Sequence, residues 1–532
     1  MAKYVFGSLK FSYDRLSSDT IRACFLYCAL YPEDSKILVD ELIEYWMAEG
    51  LIDEEGSTQT EKDKGHAYLK ELKDACMIES IKNDKYVRMH DLIRDLAINI
   101  TKEQFMVKAG LQLKESPKEE EWVESLERVS LMRNYIEAFK GQPNCPRLST
   151  LLLNRERRVT FPDTFFKHMH NLRVLDLSQT GIESLPGSLS DLMNLHALIL
   201  TNCSNLKLLP SLAKLHKLRQ LKLQGLSSLK ELPHGLENLV KLRHLDISRG
   251  GWGSFPSGVL LKMPCLEIFF MECSRGRLSY GSNANAEDNS TIGEIIIRLK
   301  KLTKFSADFA DVLAFNSYTN KARESEHLRN LDYFLFTLSN KYEGHIVESE
   351  SMEKVTLPAT ANSMEIRDCN FIQLSDIFHW DDLRQLIYCK LEDCKEMKWI
   401  GKNGEIVFPS LETLHLCCLH SFEGLCKEKT HEETLKNLRK LYIFRCPKLK
   451  YLIPNDLLVN NLQNLEEIII RHCEEMEGII SGKTSATMAS LPKFKRLTLS
   501  DLPSLTSIYH GKLVCDSEAG LCSGFKKRRR RG

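Results

Sequence analysis

Three adjacent residues, Met89-His90-Asp91 in the stretch VRMHDLIRDLAINI (87–100), have types that could do chemistry. An imidazole, neutral or protonated, can donate a hydrogen bond to a phosphate oxygen. A carboxylate beside it can cap a helix whose apolar side is Leu92, Leu96 and Ile100. Two other stretches have phosphate-like chemistry within reach. One is the basic run Lys526, Lys527, Arg528, Arg529, Arg530 and Arg531, of a kind that serves nuclear import or contacts nucleic acid, or simply ends a chain in solvent. The other is Gly482-Lys483-Thr484. No glycine stands five residues before Gly482, so it is not the phosphate-cradling loop G-x-x-x-x-G-K-[ST], and that string occurs nowhere in the chain. No Ser-His-Asp or paired-carboxylate arrangement offers another reaction, so the chain is not expected to be an enzyme.

The elements that must position His90 are helical. Apolar spacing predicts helices over 18–29, 38–49, 61–75 and 92–100. Pro32 biases Tyr31 away from the helical region and ends the first of them. MIESIKNDKYVRMH predicts two short strands around the turn pair Asn83-Asp84. Helices followed by a small hairpin make residues 1–100 a winged-helix-like domain. Residues 101–125 read as a linker.

From about residue 126 one pattern recurs. LRVLDL (172–177), LHALIL (195–200), LRQLKL (218–223) and LRHLDI (242–247) each fit L-x-x-L-x-L/I, and their starts fall every 23 or 24 residues. LERVSL (126–131) and LSTLLL (148–153) precede them. LETLHL, LRKLYI, LEEIII and FKRLTL follow, with starts 25 to 29 residues apart from Leu386 on. In such a repeat the last two apolar positions point inward from a short strand, and neighbouring repeats must stack to bury them. The expected fold is therefore an α/β solenoid, a leucine-rich-repeat horseshoe over 126–515, preceded by the small winged-helix-like domain. Residues 274–360 are irregular, and 516–532 form a basic tail expected to be disordered. The outward strand residues Arg173, Asp176, His196, Arg219, Lys222, Arg243, His244 and Asp246 are candidates for a concave recognition face, most of them expected to be merely solvated.

Composition narrows the classes. The 532 residues carry Lys+Arg 73 against Asp+Glu 72, so no overall field favours nucleic acid or an anionic membrane. No apolar run is long enough to span a bilayer, and the N-terminal MAKYVFGSLKFSYDRL is not a secretory signal. The 17 cysteines include no C-x-x-C pair. Cys203, Cys369, Cys394, Cys446 and Cys473 fall three residues after a strand's last apolar residue, the buried N/C position of a leucine-rich repeat. Structural thiols are expected there, not a metal cluster. The helix at 38–49 carries Asp40, Glu41, Glu44 and Glu49 with no Lys or Arg, which argues against reading DNA with it.

FSYDRL (11–16), CFLYCALYPED (24–34), LIEYWMAEGLI (42–52) and VRMHDLIRDLA (87–97), followed by these repeats, closely resemble one family. It is the coiled-coil class of plant nucleotide-binding leucine-rich-repeat (NB-ARC LRR) disease-resistance proteins. The resemblance covers the chain to about residue 515. It implies that 1–100 is the winged-helix end of a nucleotide-binding module, with His90 as a sensor beside the β-phosphate of ADP, Asp91 supporting it and Met89 packed behind. It also implies that the coiled coil and P-loop domain are missing, so that no cofactor binds this chain alone and ADP or ATP belongs to the intact family member. The implied role is that of an immune-receptor fragment. Its repeats recognise pathogen effectors or effector-modified host proteins, and a winged-helix/repeat contact restrains defence signalling. Two alternatives are a truncated adaptor or decoy, and a switch completed by a nucleotide-binding domain from another chain. Proteins are the expected partners, not nucleic acid. The expected location is the cytoplasm, with the nucleus or the periphery of the plasma membrane as alternatives.

Overall fold

Side-chain caps mark the start of three of the N-terminal helices in the computed structural model of the chain. Helix α1 (Ala2–Asp14) is followed by α2 (Asp19–Cys28), where Ser18 Oγ accepts the Ile21 N–H at 3.2 Å. A two-residue strand β1 (Ile37–Leu38) leads into α3 (Val39–Glu49), which ends at Gly50 in the left-handed region, φ 84°. Ser57 caps α4 (Thr58–Asp74) in the same way as Ser18 caps α2. Strands β2 (Glu79–Ile81) and β3 (Tyr86–Arg88) pair antiparallel, and β1 adds to β3. Helix α5 (Asp91–Thr101) closes the domain around the fully buried Phe25, Tyr27, Tyr45 and Trp46. The four helices and the hairpin read from sequence are present. The sequence reading does not include α1 or β1.

The structure describes residues 2–271, 292–309, 316, 319–320, 333–339, 354–506 and 513–514, apart from 55, 83, 156–158, 253–256, 356, 358–360, 368, 370, 402–407, 427–432, 455–456, 458–460 and 482–488. The expectations for Lys526–Arg531, for Gly482-Lys483-Thr484 and for most of 274–360 lie outside the described residues. The chain divides into two compact units, Met1–Asn289 with Leu299–Leu302, and Ser290–Arg298 with Thr303–Gly532.

In the first unit a parallel ladder follows the winged helix: β4 (Phe105–Val107), β5 (Arg128–Ser130), β6 (Thr150–Leu152), β7 (Val174–Asp176), β8 (Ala197–Ile199), β9 (Gln220–Lys222), β10 (His244–Asp246) and β11 (Ile268–Met271). The linker expected at 101–125 is thus corrected. Phe105 and Met106 are buried, and β4 is the first rung. Three residues, Phe-Met-Val, are too few to show the repeat's spacing, which is why the pattern starts only at 126.

The second unit stacks longer rungs: β12 (Lys304–Phe309), β13 (Tyr333–Ser339), β14 (Ser363–Arg367), β15 (Tyr388–Glu392), and, after β16 (Trp399–Gly401), β17 (Thr413–Cys417). The stack continues after β18 (Gly424–Cys426) with β19 (Lys440–Phe444), after β20 (Tyr451–Pro454) with β21 (Glu467–Arg471), and after β22 (Gly478–Ser481) and β23 (Ala489–Ser490) with β24 (Arg496–Ser500). The interleaved strands pair among themselves, β16 with β18 and β20 with β22, and β23 with β25 (Leu513–Val514). This second strand per repeat accommodates the longer spacing.

Both ladders turn by one device. The residue two after the last motif leucine is left-handed: Arg133, Arg155, Gln179, Asn202, Gly225 and Arg249 in the first unit, and Asp393, Cys418, Arg445, His472 and Asp501 in the second. The N/C position follows it. Cys203 Sγ donates to the Leu177 carbonyl of the preceding rung at 3.0 Å, and Cys394 and Cys446 reach Ile366 and Leu416 carbonyls at 4.0 and 3.9 Å. These buried thiols add a weak donor to a carbonyl of the preceding rung, and the Leu177 carbonyl also accepts from Thr180 Oγ1 at 2.7 Å.

Candidate functional site, a winged-helix face on the repeat ladder

The buried core of the winged helix does not stop at its own helices. Met132, Leu152, Val174, Ala197 and Ile199, from the repeats, belong to the same buried cluster as Tyr27, Val39, Tyr45 and Trp46. Helix α3 lies on the outward side of the first ladder, and an apolar centre is ringed by charge.

Glu49, the last residue of α3, is buried with both carboxylate oxygens engaged. Its Oε1 accepts from Arg128 Nε at 2.6 Å and Ser149 Oγ at 2.8 Å, and its Oε2 accepts from Thr150 Oγ1 at 2.6 Å. Arg128 is 11% exposed and Glu49 4%. The Arg128 guanidinium also lies over the rings of Phe105 and Tyr27. The helix end joins in, because Arg173 Nη1 donates to the Glu49 carbonyl at 2.7 Å and His196 Nδ1 lies 2.8 Å from the Ala48 carbonyl. The Arg173 cation at this helix C-terminus complements its dipole. Gly50 makes this approach possible: its φ of 84° suits glycine, and a Cβ would stand 3.2 Å from Arg173 Nη1.

One turn back, Tyr45 donates its hydroxyl to Asp176 Oδ2, which also accepts from Asn154 Nδ2 at 2.9 Å, while Asp176 Oδ1 accepts the Ser178 N–H and hydroxyl. Glu44 binds Lys222 Nζ at 2.6 Å, Gln220 Nε2 at 3.0 Å and Lys62 Nζ at 3.0 Å. Farther along, Arg219 pairs with Glu54, and Arg243 bridges Glu61 and Glu267, each at 2.6 Å. Glu267 Oε2 accepts the Thr58 N–H at the start of α4. A cavity of about 40 Å³ lined by Glu44, His196, Gln220, Arg243 and His244 remains, the space of a water or two.

Burial and charge act on these groups in opposite senses. Burial pushes Glu44 up, but Lys222, Lys62 and His244 outweigh it and hold the carboxyl well below the usual carboxylate range. Glu41, against Asp176 and hydrogen-bonded by Tyr31, is pushed up, chiefly by burial. Burial, with Arg219 and Arg173 nearby, lowers His196 to about 4, so its ring is neutral at pH 7.

The eight outward candidates therefore do not form a free or solvated face. Arg173, Asp176, His196, Arg219, Lys222 and Arg243 bind the winged helix, and His244 and Asp246 are buried beside them. Sequence reasoning missed their partners, Glu44, Tyr45, Glu49, Glu54 and Glu61. The signal was present as an acidic helix without a basic residue, matched to basic strand positions.

Met89 is buried, and His90 is exposed at the start of α5. His90, not Asp91, is the capping residue: its Nδ1 accepts the Leu92 N–H at 3.3 Å, and Asp91 is the first helical residue. An accepting Nδ1 leaves the proton of the neutral ring on Nε2, which is then a donor. Among the described residues no group of three or more His, Cys, Asp or Glu could hold a metal ion, and no helix is long and apolar enough to cross a membrane.

Residues 30–97 match the family described as "Disease resistance protein Winged helix domain", residues 357–474 "Plant disease resistance protein RPS2-like, leucine-rich repeats" and residues 146–206 "Leucine rich repeat". The "Probable disease resistance protein At4g27220" of Arabidopsis thaliana is 31% identical over 568 residues, covering 98% of this chain and 59% of its own length. The "Disease resistance protein At4g27190" of the same plant is 32% identical over 537 residues, covering 95% and 54%. The chain thus spans a little over half the length of these curated relatives. Among solved structures, the Leptospira interrogans LRR protein LIC12759 aligns with 70% of this chain and 90% of its own at 17% identity and a TM-score of 0.41.

Proposed function

The chain is homologous along nearly its whole length to plant disease-resistance proteins, and on that premise we propose that it carries the restraining and sensing part of an immune receptor. The repeats recognise a pathogen effector or a host protein altered by one. The first ladder holds the winged helix in a resting position until recognition shifts the balance, a population shift between two arrangements. The observation that carries this reading is the Glu49 site, a buried carboxylate of one domain satisfied entirely by Arg128, Ser149 and Thr150 of the other. Such a contact is costly to break one-sidedly and so suits a latch.

In this reading His90 offers its Nε2–H to the β-phosphate of ADP when a nucleotide-binding domain lies against α5, Asp91 supports the helix start and Met89 anchors the strand behind. The chain itself is neither an enzyme nor a nucleotide binder, because its sequence contains no phosphate-cradling loop. It works in the cytoplasm, with the nucleus and the plasma-membrane periphery as alternatives. Its acidic α3 is committed to the ladder, which leaves proteins, not nucleic acid, as partners.

The test is a charge swap in an intact receptor carrying this segment, expressed in leaf tissue. Glu49→Arg should trigger cell death without a pathogen, and adding Arg128→Glu should quiet it. A silent Glu49→Arg receptor that accumulates normally would overturn the latch. Asp91→Val should likewise release the resting state, and silence there would remove the nucleotide-sensing role of 89–91.

A further inference from the structure

Charge alternates along the last rungs of the second unit. The residue after each rung's first apolar position runs Glu412, Arg439, Glu466, Lys495. Arg439 sits between two carboxylates, 3.6 Å from Glu412 and 2.6 Å from Glu466, and Lys495 reaches Glu466 at 2.8 Å. The next position runs Lys440, Glu467, Arg496, in register on β19, β21 and β24. Glu467 accepts from Arg496 at 3.0 Å and from the Tyr442 hydroxyl at 2.9 Å. The Glu466-Glu467 pair is thus flanked by Arg439-Lys440 on one side and Lys495-Arg496 on the other. Opposite charges at facing positions of neighbouring strands favour their pairing, and like charges oppose it.

Among the described residues β24 is the outermost strand of this ladder. Its apolar positions are less covered than those behind it. Ile468 and Ile470 of β21 are 3% and 0% exposed, whereas Leu497 and Leu499, in register with them, are only half-buried. The backbone is aligned for the same side. The carbonyls of Glu412, Arg439 and Glu466 each accept two N–H groups from the following rung, and by register the Lys495 carbonyl faces away from β21. The His472 N–H donates forward to the Ser500 carbonyl at 3.1 Å, and the Asp501 N–H, at the same left-handed position, faces away likewise. A strand edge with aligned donors and acceptors is a template for one more strand.

We propose that the β24 edge takes an extended segment of a partner protein as an added parallel strand, one with two adjacent acidic residues followed by aliphatics at alternate positions. The alternation sets the charges, because Lys495-Arg496 presents to the open side what Arg439-Lys440 presents to Glu466-Glu467. The pleat sets the aliphatics, which would cover Leu497 and Leu499 as Ile468 and Ile470 cover the rung before them. The stretch NLEEIIIRH (464–472) is the chain's own example of such a strand. This site is the end of the ladder, not its outward face, and does not depend on the latch.

A fluorescein-labelled peptide of sequence NLEEIIIRH, mixed with the full chain and read by anisotropy, tests this. It should bind, and Glu466→Lys with Glu467→Lys in the peptide should weaken it about tenfold by reversing two cross-strand charge pairs. Lys495→Glu with Arg496→Glu in the chain should invert that preference. Where that variant fails to fold, a peptide N-methylated at its second glutamate carries the test. It loses the donor to the Lys495 carbonyl and should bind about tenfold more weakly. Absence of binding, binding indifferent to charge or to N-methylation, or a second copy of the chain holding β24 in place of the peptide would overturn the proposal. The latch is read through Glu49 and Arg128 and this edge through Lys495 and Arg496, so each can fail without the other.

Discussion

The two ladders follow one repeat and present different faces. On β7 and β8 every residue is buried, and on β15, β17 and β19 inward residues alternate with half-exposed ones. The inward leucines behave alike in both. The difference lies outward. In the first unit Leu152, Val174, Ala197 and Ile199 meet the winged helix inside a ring of cross-domain ion pairs. In the second unit the outward residues include the rings of Tyr388, His415, Tyr442 and Phe444 and ion pairs made within a rung or between adjacent rungs, such as Lys390–Glu392 and Arg367–Glu392. The repeat thus dictates the inward half of each strand and leaves the outward half to whatever lies against it.

The sharpest way to break this comparison is to remove one carboxylate from each ladder. Glu49→Ala strands the buried Arg128 and should cost about 3–5 kcal/mol, read as a lower urea midpoint for the first unit. Glu392→Ala, on a more exposed network, should cost less than about 1 kcal/mol. Equal losses would mean that the two faces do not differ as described. Next comes the tyrosine pair. Tyr45→Phe removes a buried donor to Asp176 and should cost about 1.5–3 kcal/mol, whereas Tyr442→Phe should cost about 0.5–1 kcal/mol by the same denaturation assay.

Acid sharpens it further. His196 resists protonation when docked, its pKa lowered from 6.5 to about 4, so the undocked form binds more protons in that window. Docking stability therefore falls as pH drops from about 6.5 toward 4. Glu44 adds a second loss at lower pH. Its depressed carboxyl contributes fully above the ordinary glutamate value and loses that contribution as pH falls through the docked one. Hydrogen exchange of the α3 amides should show both steps, and His196→Gln should erase the upper one. His415 shifts in the same direction, so global unfolding would mix the two units where α3 exchange does not. The smallest expected effect is His90→Ala, within about 0.5 kcal/mol by thermal denaturation, since the ring is exposed and its one cap bond is long. A larger loss would mean that His90 supports the fold.

Much of the scaffold was legible because it is local. Four helices, the hairpin about Asn83-Asp84 and the rungs from Leu126 on show their periods within a dozen residues. The structural cysteines follow from position alone, and the left-handed residue before Cys203, Cys394, Cys446 and Cys473 explains their spacing. The first rung at Phe105 was not legible, because three apolar residues carry no period. The cap at His90 was not, because Asp91 is the commoner capping type and only the backbone angles at residue 90 separate the two.

The site was legible in kind and not in pairing. Acidic residues on 38–49 and basic residues at outward strand positions stand plainly in the sequence, yet each looks like ordinary solvated charge. Glu49 meets Arg128 across 79 residues, and Gly56 meets Arg243 across 187. The sequence by itself determined which side chains point into the stack, since a stranded leucine must be buried and the strand period is two. Only the tertiary structure decided which outward faces are covered, because that depends on where chain folding carries α3, and on whether its carboxylates arrive within hydrogen-bonding reach of Arg128, Lys222 and Arg243.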